Sequence, residues 1–419
     1  MRPIFLAIAV AAVGLSACGE PTPSSPPAPP PPEYASNWFV AVSSKPGGAL
    51  NIHETKLGFG GFMREPDGAF QPIRNIVLTD AAMSFIAPTL DASLTATKAA
   101  DGSWAGEWTA DGTTTDLIFK PSGALEMTET FVKLPDGRWI QFQCLGAGSP
   151  TVIFDYGAGG AMASWKDVFE PISQTTRACM AERAARGLSD PGPIPRDVNA
   201  AAADIDAFVH AARIEGPLVL VGHSMASYHV RQYANLHKDG EVAGMVLVDP
   251  SGDGQTARFT EFIPNLAELL GDNVDDEVAA GCVKALHEKL LKRDEPVAKT
   301  CGGNDPDRVE ATLSEVASME VVSTNQIKAA ARSYGDMPLI VLTRGDYKKG
   351  MPAAFTAENT AAMERVWTAM HIEMTALSTI GEHRVVDGAG HSIQRDQPQA
   401  VIDAVNEVIT KARERAAKP

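Results

Sequence analysis

The stretch that decides the fold reads Val219-Leu220-Val221-Gly222-His223-Ser224-Met225-Ala226. An apolar, β-branched run stops at Gly222, and a helix-like pattern of apolar residues starts directly after Ser224. This pattern predicts a strand, a sharp turn and a helix, with the serine on the turn. The small flanking residues let the backbone turn tightly, so the Ser224 Oγ is expected to stand clear of the sheet at the positive end of a helix. Because such five-residue patterns also occur by chance, the prediction depends on partners elsewhere in the chain.

Strand-like and helix-like segments alternate through residues 123–419, which we assign to one domain. The alternation predicts a largely parallel sheet covered by helices on both faces. Residues from about 252 to 335 interrupt it with a helix-rich, charged insertion.

Several segments of this domain share their sequence features with a known family, namely 148–152, 155–160, 164–165, 176–179, 183–190, 222–226, 231–234 and 242–251. Together they resemble the α/β-hydrolase superfamily, in the branch of secreted bacterial serine hydrolases. The resemblance covers residues from about 126 to 411, apart from the insertion. It implies an α/β-hydrolase fold in which the insertion forms a cap that shapes the substrate pocket. The chain departs from the family at Ala226-Ser227, where two glycines are usual, and around 181–183 and 185–186.

A catalytic constellation follows from the order of residues along this fold. A serine hydroxyl needs a base within hydrogen-bond reach and a third group that orients the base. His391, in a small-residue loop after the last predicted strand, is the candidate base for Ser224. The acid is open: Asp249 ends the strand after the elbow helix, and Asp346 follows the next strand. The resemblance favours Asp249, and Asp346 is the alternative.

The oxyanion hole needs two backbone N–H donors. Met225, directly after the nucleophile, is expected to supply one, and the resemblance places the other at Ala158 in the glycine-rich segment 157–160. Read as a phosphate-binding loop, this segment lacks the required Lys-Ser/Thr pair. We therefore predict no nucleotide here. The serine chemistry needs no cofactor, and because the sequence lacks metal-ligand spacing we predict no metal.

The N-terminal sequence predicts the location of the protein in the cell rather than its fold. Residues 4–15 form a short apolar run after Arg2, as in a signal peptide, and the run ends in Leu15-Ser16-Ala17-Cys18-Gly19, which resembles a bacterial lipobox. We expect residues 1–17 to be removed, Cys18 to be lipidated, and residues 18–35 to form a proline-rich spacer. The body would then lie outside the cytoplasm on the periplasmic face of the envelope, and Gly19 favours the outer membrane.

A β-rich domain is predicted for residues 36–122, because short strand-like runs alternate with turn signals such as Asp101-Gly102 and Asp111-Gly112. Either a sandwich or a barrel-like sheet fits this pattern. Its single histidine, His53, is interpreted as structural or solvated.

Charge and cysteine content narrow the function further. The net charge of −16 argues against a nucleic-acid partner. In an oxidising compartment, Cys144, Cys179, Cys282 and Cys301 could form two local disulfides, with the pairing open. We expect a membrane-anchored carboxylic-ester hydrolase acting on a small ester or acyl substrate, with a peptidase, lactonase or thioesterase as alternatives on the same residues. The rival hypothesis is a non-catalytic envelope lipoprotein, and the number of subunits is left open.

Overall fold

The computed structural model describes residues 38–41, 48–122, 130–238, 240–270, 281–285, 305–351 and 354–418. The predicted signal peptide, the lipidation site Cys18 and the spacer lie outside these residues, and so does Cys301. Within the described ranges, no helix is both long and apolar enough to cross a membrane.

The first part of the chain is a nine-stranded sheet in which every pair is antiparallel, with the strand order β4-β3-β2-β1-β9-β8-β7-β6-β5. The chain leaves β4, which is bonded to β3, and enters β5, which is bonded to β6, with only Ile73 between them. The two ends of the strand order therefore meet, and the sheet curls into a barrel. The strands are Trp38–Ala41 (β1), Ala49–Thr55 (β2), Gly58–Arg64 (β3), Phe70–Pro72 (β4), Arg74–Leu78 (β5), Ala82–Ala87 (β6), Ala92–Lys98 (β7), Trp104–Ala110 (β8) and Thr113–Ser122 (β9).

Alternate residues of these strands fill the barrel interior, as a period of two requires. In β7, for example, Ala92, Leu94 and Ala96 are buried while the residues between them are more exposed. They pack with large apolar side chains of other strands, including Phe85 and Trp104.

The second sheet has eight strands in the order β10-β11-β13-β12-β14-β15-β16-β17. β10 and β11 pair antiparallel to their neighbours, and all later pairs are parallel. This is the largely parallel sheet that the alternating pattern predicted, and the α/β-hydrolase fold that the resemblance implied is confirmed. The strands are Phe131–Lys133 (β10), Trp139–Leu145 (β11), Thr151–Asp155 (β12), Ala178–Ala181 (β13), Leu218–His223 (β14), Val242–Val248 (β15), Leu339–Arg344 (β16) and Glu382–Val386 (β17).

Helices cover both faces of this sheet because its central strands are apolar on both sides. In β14, Leu220 packs in one core with residues of α2 and α3, while Val219 and Val221 pack in the other with residues of α1 and α10. The helices are Lys166–Ser173 (α1), Val198–Ala211 (α2), Ala226–Leu236 (α3), Gln255–Thr260 (α4), Leu266–Leu270 (α5), Pro306–Ser318 (α6), Thr324–Ala330 (α7), Ala357–Thr375 (α8), Ile393–Asp396 (α9) and Pro398–Ala416 (α10).

Buried polar and aromatic contacts join the barrel to the second part of the chain. His53 is 4% exposed, and its Nε2 lies 2.6 Å from Asp190 Oδ2 while its ring stacks on Trp139. His53 therefore has a structural role, as the sequence indicated. The buried Arg74 Nε lies 3.2 Å from Asp305 and 3.3 Å from Asp307, at the start of α6. The barrel thus contacts both the hydrolase sheet and the inserted segment.

One disulfide joins Cys144 and Cys179, which face each other across β11 and β13. Cys282 is also disulfide-bonded. The first bond ties the antiparallel edge of the sheet to its parallel centre.

Candidate active site

The turn between β14 and α3 holds Ser224 in the left-handed region, with φ 54°. Its backbone N–H donates to the Val248 carbonyl at 3.0 Å, which fixes the turn against the end of β15. A Cβ at Gly222 would lie 2.8 Å from both the Ala226 carbonyl oxygen and a Val230 methyl group, so only glycine fits there. The predicted strand, turn and helix are therefore present, and the strain is localised at the serine itself.

His391 and Asp249 complete a hydrogen-bonded chain with Ser224. His391 follows β17, and its Nε2 lies 2.9 Å from the Ser224 Oγ. Its Nδ1 lies 2.6 Å from Asp249 Oδ2. Because an ionised carboxylate can only accept, Nδ1 carries the proton, and Nε2 is left with a lone pair for the serine hydroxyl. This arrangement can remove a proton from Ser224 and return it to a leaving group.

Asp249 is held in place from several directions. It is fully buried at the end of β15, with φ 43°. Its Oδ1 accepts the backbone N–H of Arg344 and the indole N–H of Trp367, both at 3.0 Å. Burial alone raises the pKa of a carboxyl group, but the Arg344 charge and the His391 hydrogen bond hold the pKa of Asp249 well below its ordinary value. Asp249 is therefore ionised whenever His391 needs an acceptor.

Arg344 is the main counter-charge of Asp249 and was not singled out in the sequence. It ends β16, is 4% exposed, and its Nε lies 2.7 Å from Asp249 Oδ2. Its guanidinium also lies 4.7 Å from the centre of the Trp367 ring. The one signal in the sequence was a cation at the end of the strand Leu339–Arg344, whose first four residues are apolar, two residues before an acid candidate.

Asp346, the alternative acid, lies elsewhere. Its Oδ1 accepts the backbone N–H groups of Lys348 and Lys349, at 2.9 and 3.1 Å, and so shapes the loop after β16. Of the two acid candidates, Asp249 is the one that contacts His391.

His223 supports the loop that carries His391. Its Nε2 lies 2.9 Å from the His391 carbonyl oxygen, and the two rings are 4.7 Å apart. Burial lowers the pKa of His223 to about 3, so its ring stays neutral and donates this hydrogen bond. This contact gives His223 a structural role beside the site.

The glycine-rich segment passes directly beside the elbow. A Cβ added to Gly157 would lie 3.0 Å from the Ser224 Cβ, so the backbone approaches the serine closely. The next residue, Ala158, is exposed, and Met225 directly precedes α3. In the described part of the chain, the N–H groups of Ala158 and Met225 make no hydrogen bond to a protein acceptor. Both are therefore free to donate to a developing oxyanion.

The described residues contain no group of three or more histidine, cysteine or acidic side chains arranged to hold a metal ion.

Comparison with known proteins agrees with this architecture. A model of the Alpha/beta hydrolase family matches residues 138–404. The chain is 26% identical over 286 residues to a Hormonema carpetanum protein named "Probable transporter efuK", where the match spans 62% of this chain but only 39% of that protein. It is 24% identical over 272 residues to the Bacillus subtilis protein YqjL, covering 65% of this chain and 88% of that protein.

Two solved structures are similar over 68% of this chain. An esterase from Thermogutta terrifontis is 20% identical, with 99% of it covered and a TM-score of 0.43. A bromoperoxidase from Bacillus anthracis is 12% identical, with all of it covered and a TM-score of 0.45. Similarity this distant says nothing specific about a substrate. The family match, in contrast, spans most of the chain and begins just after the barrel. This protein belongs to the alpha/beta hydrolase family.

Proposed function

We propose that this protein is a serine hydrolase that cleaves carboxylic esters through an acyl-enzyme. The observation that carries the proposal is the chain from the Ser224 Oγ through His391 to the buried Asp249, with contacts of 2.9 and 2.6 Å. A general base must lie within hydrogen-bond reach of the proton that it removes, and His391 meets this requirement.

The reaction proceeds in two halves. The Ser224 Oγ attacks the acyl carbon while His391 Nε2 takes the hydroxyl proton, and the ester C–O bond breaks as His391 passes this proton to the leaving alkoxide. A water molecule then attacks the acyl-enzyme, gives its proton to His391, and releases the carboxylic acid as Ser224 is reprotonated. In both halves the backbone N–H groups of Ala158 and Met225 stabilise the oxyanion.

A fluorophosphonate probe tests this proposal directly, because it reacts with activated serines. We expect a single adduct on Ser224, located by peptide mass spectrometry, together with hydrolysis of short p-nitrophenyl esters. Ser224→Ala should remove both signals. Ser173→Ala is the control, because Ser173 is buried and its hydroxyl donates to the Glu170 carbonyl instead of contacting a histidine. If the folded wild-type protein acquires no adduct on Ser224, the proposed hydrolase activity is refuted and a non-catalytic binding function is favoured.

The same preparation separates the acyl substrates. Esters, thioesters, lactones and short peptide amides can be compared by kcat/KM. We expect the esters to rank first, and faster cleavage of peptide amides would overturn the ester assignment.

We further propose that the mature protein is anchored to the cell envelope by lipid on Cys18, with its body on the periplasmic side of the outer membrane. The apolar run at residues 4–15 and the sequence around Cys18 support this proposal. The Cys144–Cys179 disulfide also supports it, because such bonds persist in oxidising compartments.

Metabolic labelling with an alkyne fatty acid tests the anchor in a bacterial host. The wild-type protein should take up label and sediment with membranes, and Cys18→Ala should lose the label. Unlabelled wild-type protein in the soluble fraction would contradict the anchor without affecting the proposed chemistry.

A further inference from the structure

Arg183 lies beneath the glycine-rich segment and donates to its backbone. It follows β13, and its side chain is 9% exposed. Its Nη1 donates to the Tyr156 carbonyl, and its Nη2 lies 3.3 Å from the Gly157 carbonyl oxygen. The guanidinium also lies 4.3 Å from the centre of the Tyr156 ring. A single cation therefore holds the carbonyl just before this segment and the first carbonyl within it.

The second of these carbonyls shares a peptide plane with the N–H of Ala158. In a trans peptide the C=O and the N–H point in opposite directions. When Arg183 holds the Gly157 oxygen on one edge of the plane, the Ala158 N–H is turned away from Arg183, and a hydrogen bond at the carbonyl also polarises that N–H. Because Gly157 packs against Ser224 and His223, this peptide cannot move far from the nucleophile.

Two buried carboxylates fix the position of Arg183. Asp155, at the end of β12, lies 2.8 Å from its Nη1. Glu315, on the inserted helix α6, lies 3.0 Å from its Nε and 3.2 Å from its Nη2. Burial alone raises the pKa of Glu315, but the Arg183 and Arg186 charges hold it below its ordinary value, so this pair stays ionised at neutral pH.

We propose that Arg183 is a positioning residue that orients the Ala158 peptide for oxyanion binding, and that Glu315 makes this orientation depend on how the inserted helix is seated. The inference rests on the proposed serine hydrolase activity. The insertion then affects transition-state stabilisation as well as access to the site.

Arg186 provides a matched control. It is 2% exposed, and its Nη2 lies 3.3 Å from Glu315 and 2.8 Å from Thr312. In the described structure the hydrogen bonds of its side chain go to α6, and none reaches the glycine-rich segment. Replacing Arg186 therefore removes a cation beside Glu315 but leaves the hydrogen bond from Arg183 to the Gly157 carbonyl in place.

The experiment compares Arg183→Gln, Arg183→Lys and Arg186→Gln in the full-length protein. Loss of an oxyanion donor costs about 10²–10³ in kcat elsewhere. Because Arg183→Gln loosens the donor without deleting it, we expect kcat to fall by about 10–100-fold with little change in KM. Affinity for an alkyl boronic acid, which forms a tetrahedral adduct on the serine, should fall in parallel. Lysine should restore part of the loss, and Arg186→Gln should stay close to wild type.

Equal kcat losses in Arg183→Gln and Arg186→Gln would overturn the inference, since both would then report only a weakened ion pair. A loss confined to KM would overturn it as well. If Arg183→Gln does not fold, Glu315→Gln replaces it, with an expected fall in kcat of about 3–10-fold, and an unchanged kcat refutes the coupling. A wild-type protein without esterase activity would instead refute the proposed function, and this outcome is visible before any variant is made.

Discussion

Replacing Asp249 with asparagine is the sharpest test of how His391 is oriented. The carboxylate accepts on both oxygens: Oδ1 receives two N–H groups at 3.0 Å, from the Arg344 backbone and Trp367. Oδ2 faces His391 Nδ1 at 2.6 Å and Arg344 Nε at 2.7 Å. An amide has one acceptor oxygen and one NH₂ group. In either orientation of the substituted side chain, therefore, two donors face its NH₂.

The catalytic consequence follows from the tautomer of His391. To accept from the amide NH₂ of the Asp249→Asn variant, its Nδ1 must be deprotonated, so the proton moves to Nε2 and faces the Ser224 hydroxyl. An imidazole in that state cannot remove the serine proton. We expect kcat/KM to fall by about 10³–10⁴-fold, which corresponds to about 4–5.5 kcal/mol of transition-state stabilisation. The fold should also lose about 3 kcal/mol, because Arg344 is left buried without its counter-charge.

Asp346→Asn is the matched control, because an amide oxygen can still accept the two backbone N–H groups that Asp346 binds. Its kcat/KM should stay within about threefold of wild type. The assay is hydrolysis of a short p-nitrophenyl ester, with active sites counted by a fluorophosphonate and folding checked by urea denaturation. If Asp249→Asn keeps more than about a tenth of the activity, or if Asp346→Asn loses as much, the reasoning is wrong.

Three further predictions concern stability. Burial raises the pKa of Asp155, but its interactions with Arg183 and His229 outweigh this effect and lower the pKa to about 2. The ionised carboxylate should therefore stabilise the folded protein by roughly 2 kcal/mol above pH 4, and this contribution should be lost as the pH falls towards 2. Acid unfolding of Asp155→Asn should lack this component. Cys144→Ser with Cys179→Ser removes a bond across a sequence separation of 35 residues, so unfolding in urea should cost about 3–4 kcal/mol less, and an unchanged midpoint would refute this. Arg74→Met removes the buried cation beside Asp305 and Asp307, and it should lower the free energy of unfolding in urea by about 3 kcal/mol. Lys56→Met, on the exposed surface of the barrel, is its control.

The sequence predicted local features well because their causes are local. The turn at Gly222 and Ser224 could be predicted because small residues in one short stretch allow it. The class of fold could be predicted because strands and helices alternate with clear periodicity. Closure of the barrel is different. It depends on β4 and β5 meeting at Ile73 after the sheet has curved through seven other strands, and no single segment encodes that curvature. A sandwich and a barrel therefore fitted the same pattern of strands.

The choice between Asp249 and Asp346 was open for a related reason. Asp249 follows β15 and Asp346 follows β16, and these strands are parallel neighbours, so both residues lie at the same edge of the sheet. The difference lies in contacts made across the fold, with Trp367 on α8 and with His391 after β17. The sequence did not identify Arg183 because its side chain donates to backbone carbonyls. Every residue has a backbone carbonyl, so the residue type at an accepting position gives no indication of the contact.

The replacement of the usual glycines after the elbow has a structural explanation. Ala226 is the first residue of α3 and is fully buried, so its side chain still fits after the elbow. Ser227 does more than fit: its Oγ donates to the Ser251 carbonyl at 3.0 Å, while the Ser251 N–H donates to the Ser224 carbonyl at 3.0 Å. These two bonds join the start of the elbow helix to the chain just beyond Asp249. A glycine at this position would give up the first bond, so the departure strengthens the connection between Ser224 and the segment that carries Asp249.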